Sequence, residues 1–196
     1  MAIKFKEAPQ QSVHELTNAM TWFNEHKTPA VRSTALMASA SGAQNIPHPV
    51  YNLDRDAIIA KKGLAAAKLV GWRYIIRDDA NQYHVAEISV NETNNVHNFH
   101  SFNEGSHLDS FVSHFNNFST NDDVNKKDYE LNLLRVPSCY IMAIWLKDAA
   151  HNDLFIPLEP LQPGFVAGKT YNSADFMSIV EHIANDMAQQ VDHNAK

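Results

Sequence analysis

The chain is poor in the residues that announce a function. Its 196 residues include one cysteine, six glycines and 16 lysines and arginines against 22 acids. A lone cysteine, Cys139, excludes an intramolecular disulfide and points to a reducing compartment. The glycines stand at 42, 63, 71, 105, 164 and 168, and they form neither a Gly-x-Gly-x-x-Gly fingerprint nor a P-loop. Gly168-Lys169-Thr170 ends like a P-loop, but Pro163 stands where its first glycine is needed. No Gly-x-Ser-x-Gly nucleophile elbow occurs. The longest apolar run, "CYIMAIWL", is far too short to span a bilayer. The opening "MAIKFKEAPQQSVHEL" has lysines without the apolar segment of a signal peptide. The basic residues are scattered and the net charge is −6, which speaks against broad electrostatic binding to nucleic acid. The expectation is a soluble, acidic, cytoplasmic protein that needs no cofactor.

What is present reads as a globular core. Apolar residues make up 44% of the chain, and a chain this long buries enough of them to fold without metal or disulfide. Apolar positions at helical spacing (Val13, Leu16, Met20, Phe23) predict a helix over 12–27. Ser, Gly and two prolines then predict a loop over 40–53. "DRDAIIAKKGLAAAKLVG" predicts a second helix, started by Asp54 or Asp56 and ended by Gly71. The period then changes to two. "WRYIIRD", "YHVAEISV" and "VHNFHSF" are strands joined by short polar turns, which predicts an antiparallel meander. His84, Ala86, Ile88 and Val90 are expected on its core face, with Tyr83, Val85, Glu87 and Ser89 on the other.

"SHLDSFVSHFNNF" switches back to a helix with Leu108, Phe111, Val112, Phe115 and Phe118 on one stripe. "YELNLLRVP", "SCYIMAIWLKD" and "LFIPL" form a second strand group. "SADFMSIVEHIANDMAQQ" closes the chain as an amphipathic helix burying Phe176, Ile179, Val180, Ile183 and Met187, with the tail after it expected to fray. The fold class is therefore α+β. A single domain over 1–196 carries a mostly antiparallel sheet, in two hairpin or meander units, packed by helices. Residues 12–53 form an N-terminal helical and loop segment, and 54–190 form the core.

Chemistry is concentrated in one stretch, "NNVHNFHSFNEGSHLDSFVSHFNNF". It holds His97, His100, His107 and His114, and imidazoles at short spacing can ligate zinc. Alternation along a strand sends His97 and His100 to opposite faces. His107 and His114 lie on one side of a helix, about 10 Å apart along its axis. At most one strand His and one helix His could meet, for example His100 and His107 across the "SFNEGS" turn, with a carboxylate such as Glu104 or Asp109 completing a metal site. The plainer reading places the imidazoles along the rim of a phenylalanine core, polar tips outward. Cys139 lacks any flanking base or partner cysteine. Arg73, Arg77 and Glu87 could share a face of neighbouring strands as a structural ion pair. The tryptophans, Trp22, Trp72 and Trp145, are expected in packing.

The sequence assigns no catalytic residue. The leading functional expectation is non-catalytic binding of a protein partner or a small ligand. A hydrolase built on His and carboxylates, with or without a metal, is the second reading. A structural or assembly subunit forming a homo-oligomer is the third.

Overall fold

A computed structural model describes residues 3–26, 46–77, 83–91, 93–103, 105–119 and 127–194. Four helices and eight strands follow in order: α1 (Gln10–His26), β1 (Ile46–Asn52), α2 (Arg55–Ile59), β2 (Lys68–Arg77), β3 (Tyr83–Val90), β4 (His97–Asn103), α3 (Ser106–Ser119), β5 (Tyr129–Val136), β6 (Ile141–Asp148), β7 (Leu154–Pro157), β8 (Tyr171–Asn172) and α4 (Ser173–Asn194). This is an α+β protein whose sheet is mostly antiparallel, as the two periods in the sequence imply. The chain divides into two compact units. The smaller comprises residues 5–50 and 69–109, and the larger comprises 1–4, 51–68 and 110–196.

In the smaller unit β2, β3 and β4 form the antiparallel meander. Trp72, Tyr74 and Ile76 of β2 and Ala86 and Ile88 of β3 are buried in one cluster with Leu16 and Met20 of α1. Leu16 and Met20 lie four apart, so a single stripe of the helix meets the sheet. Val13, expected beside them, is instead exposed. Ser12 takes the buried place, and the Tyr74 hydroxyl donates to its Oγ at 2.8 Å. The face expected to meet solvent is covered as well: Ile75, Val85, Arg73 and Glu87 are all buried. Gly71 does not end a helix. It pairs with Ser89 inside β2, and a Cβ at this position would collide with the Ile88 carbonyl.

In the larger unit β5, β6, β7 and β8 form a second antiparallel group. Its hydrogen-bond register places Leu134, Val136, Ala143, Trp145, Phe155 and Tyr171 on one face. These pack with Phe176, Val180, Ile183 and Ala184 of α4 and with Leu53 and Ile58. The alternate residues Leu131, Leu133, Ile144, Leu146 and Ile156 are also buried, so the central strands are apolar on both faces, as the run "CYIMAIWL" suggests. Helix α4 starts at a reciprocal cap. Asp175 donates its backbone N–H to Asn172 Oδ1 at 2.8 Å, and Asn172 Nδ2 donates to Asp175 Oδ2 at 2.9 Å. The helix runs to Asn194, past Gln190, where the sequence reading ends it. Ile3 is buried and Lys4 forms a parallel bridge to Glu130.

Two further expectations are corrected. The loop expected over 40–53 contains β1. Pro47 and Pro49 are two apart, so their missing N–H groups fall on the same side of the strand and the other side keeps its donors. The helix expected from Asp54 to Gly71 lasts only from Arg55 to Ile59. A 3-10 turn over Gly63–Ala66 follows, and β2 begins at Lys68. Its alanines line a chain reversal rather than a long helix.

Candidate functional site

The reversal between α2 and β2 builds a concavity within the larger unit. Asp54 sits in extended conformation before α2 and makes no side-chain cap. The backbone then turns through left-handed conformations at Lys61 (φ 54°) and Gly63 (φ 63°). Glycine adopts that region without cost, whereas Lys61 holds it against the steric clash of its Cβ. The result returns the chain on itself, so that Lys68 Nζ lies 3.9 Å from Asp54 Oδ2, both side chains being exposed. Between them opens a cleft of about 690 Å³. Its charged lining consists of Asp54, Arg55, Asp56, Lys62 and Lys68, and alanines 57 and 65–67 complete the wall. Ala57, Ala66 and Ala67 pack in turn on the core beneath. Three cations face two carboxylates, a local positive excess on a chain whose net charge is −6.

The 3-10 turn Pro137–Cys139 belongs to the same unit. Burial pushes the Cys139 thiol up from its ordinary value, against the smaller lowering effects of Ser138 and the Arg55 guanidinium. Cys139 is fully buried. A protonated, enclosed thiol is a poor nucleophile, so the cysteine serves packing. The next residue, Tyr140, takes a left-handed conformation (φ 52°, ψ 36°) and is 76% exposed.

The histidines of "NNVHNFHSFNEGSHLDSFVSHFNNF" separate. His97 is buried at the start of β4, and neither ring nitrogen has a hydrogen-bond partner among the described residues. His100 is exposed on the same strand. His107, in the first turn of α3, and His114 are half-buried. Glu104, a carboxylate expected to complete a site with His100 and His107, lies outside the described residues. Among the described residues no group of three or more His, Cys, Asp or Glu could hold a metal ion.

The Arg73–Glu87 pairing is present. The two residues are register partners, with Arg73 Nε 3.3 Å from Glu87 Oε1 and both side chains buried. An ion pair so enclosed must be kept intact, because removing either partner strands the other charge. Trp72 and Trp145 are buried as expected, but Trp22 is 56% exposed on α1. It falls half a turn away from the stripe of Leu16 and Met20, beyond the reach of the core.

Sequence reasoning missed the cleft. Its only local signal was Gly63 inside an otherwise helical pattern, a weak breaker on its own. The chain matches no family model, no curated protein and no solved structure. No helix among the described residues is long and apolar enough to cross a membrane.

Proposed function

We propose that this protein acts by binding rather than by catalysis, and that the cleft between α2 and β2 receives a small ligand, or a side chain of a protein partner, that carries a carboxylate. The observation that carries this reading is the lining itself: Arg55, Lys62 and Lys68 set against Asp54 and Asp56 over an alanine wall. Opposed charges suit a zwitterion or a hydrogen-bonding acid. The excess of cations favours the acid end, and the alanines leave room for a short apolar body. The same reading places the protein in the cytoplasm, where the lone Cys139 stays reduced.

The test is a titration of 15N-labelled protein with acetate, glycine and short acidic peptides. Amide shifts confined to 54–68, and abolished by Lys62→Glu, are the expected result. An unperturbed cleft at about 10 mM ligand, well above ordinary small-molecule affinities, overturns the reading.

A further inference from the structure

The edge strand of the smaller unit's meander points to a second copy of this chain as its partner. Strand β4 is the outermost strand of that meander in the strand order. Exposed edges are ordinarily blunted by proline, lysine or inward-facing charge. His97–Asn103, "HNFHSFN", contains none of these. It also contains no carboxylate.

What distinguishes the strand is its self-complementarity. In an antiparallel pairing centred between His100 and Ser101, Asn98 meets Asn103, Phe99 meets Phe102 and His100 meets Ser101, each pair occurring twice. The faces agree with this register. Phe99 and Phe102 both lie partly buried against the α1-side core, their rings 6.1 Å apart. Asn98 and Asn103 are exposed. They neighbour those phenylalanines in sequence, so the pleat turns them to the opposite face.

The spacing of three between the phenylalanines would normally put them on opposite faces. A bulge corrects it. Ser101 pairs with Glu87 and Phe99 with Ile88, leaving His100 as the extra residue. A bulge usually spoils an edge for pairing. Here it falls at the centre of the symmetric register, so both copies bend at the same point and the distortion is shared across the two-fold axis.

We infer that two copies join through β4 in this register, continuing the sheet from one smaller unit into the other and covering the half-exposed phenylalanine edge with its own image. Such an interface is isologous and closed, which ends assembly at a dimer. The inference is independent of the cleft reading, since the cleft is built from residues 54–68 alone.

Sedimentation of the full chain at about 50 µM, within the range of modest protein interfaces, is expected to give twice the 22.1 kDa chain mass. Asn98→Lys/Asn103→Lys places like charges opposite each other twice and is expected to raise the dimer dissociation constant about tenfold. Asn98→Lys/Asn103→Asp, which pairs opposite charges at the same places, is expected to restore it. Both positions are exposed, and circular dichroism checks that each variant folds. A monomer at all concentrations overturns the inference, and so does a dimer that responds equally to the two double variants.

Discussion

Trp145 donates its indole N–H to the Asp153 carboxylate at 2.8 Å, and the second oxygen of that carboxylate accepts the backbone N–H of Asp148 at 2.9 Å. One buried side chain thus ties the β6–β7 turn to the aromatic core, where the Trp145 ring stacks on Phe155 and meets Tyr51 edge-on. Both sides of the contact are out of water, Trp145 at 4% and Asp153 at 7% exposure. A buried donor without its acceptor carries the full cost of its lost hydration.

Asp153→Ala is therefore expected to destabilise the larger unit by about 3 kcal/mol, the sum of a charge-assisted bond and a stranded indole N–H. Asp153→Asn keeps an acceptor oxygen and should lose roughly half as much. Urea denaturation followed by tryptophan fluorescence measures both. Equal losses in the two variants would show that charge, not hydrogen bonding, holds the turn.

The smaller unit offers a pair suited to a double-mutant cycle. Tyr74→Phe removes the donor to Ser12, and Ser12→Ala removes the acceptor. Each is expected to cost about 1–2 kcal/mol, with the double variant costing little more than either single one. Strict additivity would mean that the two hydroxyls do not interact. The bond also has a pH signature. Burial raises the Tyr74 pKa above its ordinary 10.0, against the lowering effect of Ser12. The folded state thus holds this proton more tightly than the unfolded chain does. Its contribution is complete below pH 10 and is lost as pH rises through the folded value. Alkaline denaturation should begin earlier in wild type than in Tyr74→Phe relative to each protein's stability at pH 8.

Gly71→Ala tests the close approach of β2 to β3. The added methyl meets backbone, the Ile88 carbonyl, which cannot swing aside as a side chain can. The expected loss is about 2–3 kcal/mol, from strand separation and weakened ladder bonds. A neutral result in thermal denaturation would mean that the ladder has slack at this point.

The sequence carried the strands better than the helices. Alternation along 83–90 and the apolar block around Ile144 each mark strands that appear close to their expected bounds, because burial on a pleated surface is written at period two. Phe176, Val180 and Ile183 likewise mark the buried face of α4. The failures have a common physical cause. "AIIAKKGLAAAK" has high helix propensity throughout, yet the turn at Lys61 and Gly63 prevails because Leu53 and Ile58 are held by the larger unit's core. β1 was hidden by prolines whose harm depends on which side of the strand they face. The cleft could not be read in advance because it is the by-product of that reversal. The Arg73–Glu87 pair was legible because its geometry is local to two adjacent strands. Ser12, buried in place of Val13, shows one hydrogen bond deciding which helix position turns inward.

Lys4 donates its backbone N–H to the Tyr129 carbonyl at 2.7 Å, and its own carbonyl accepts the Leu131 N–H at 3.0 Å. Its ammonium reaches Asp128 at 2.8 Å, across 124 residues of sequence. On the ribosome, Ile3 and Lys4 leave the exit tunnel long before their seat in β5 exists. At ordinary elongation rates of about 5–20 residues per second, that interval lasts several seconds. Throughout it Ile3 stays without its buried place, so this part of the larger unit closes only once β5 has been made.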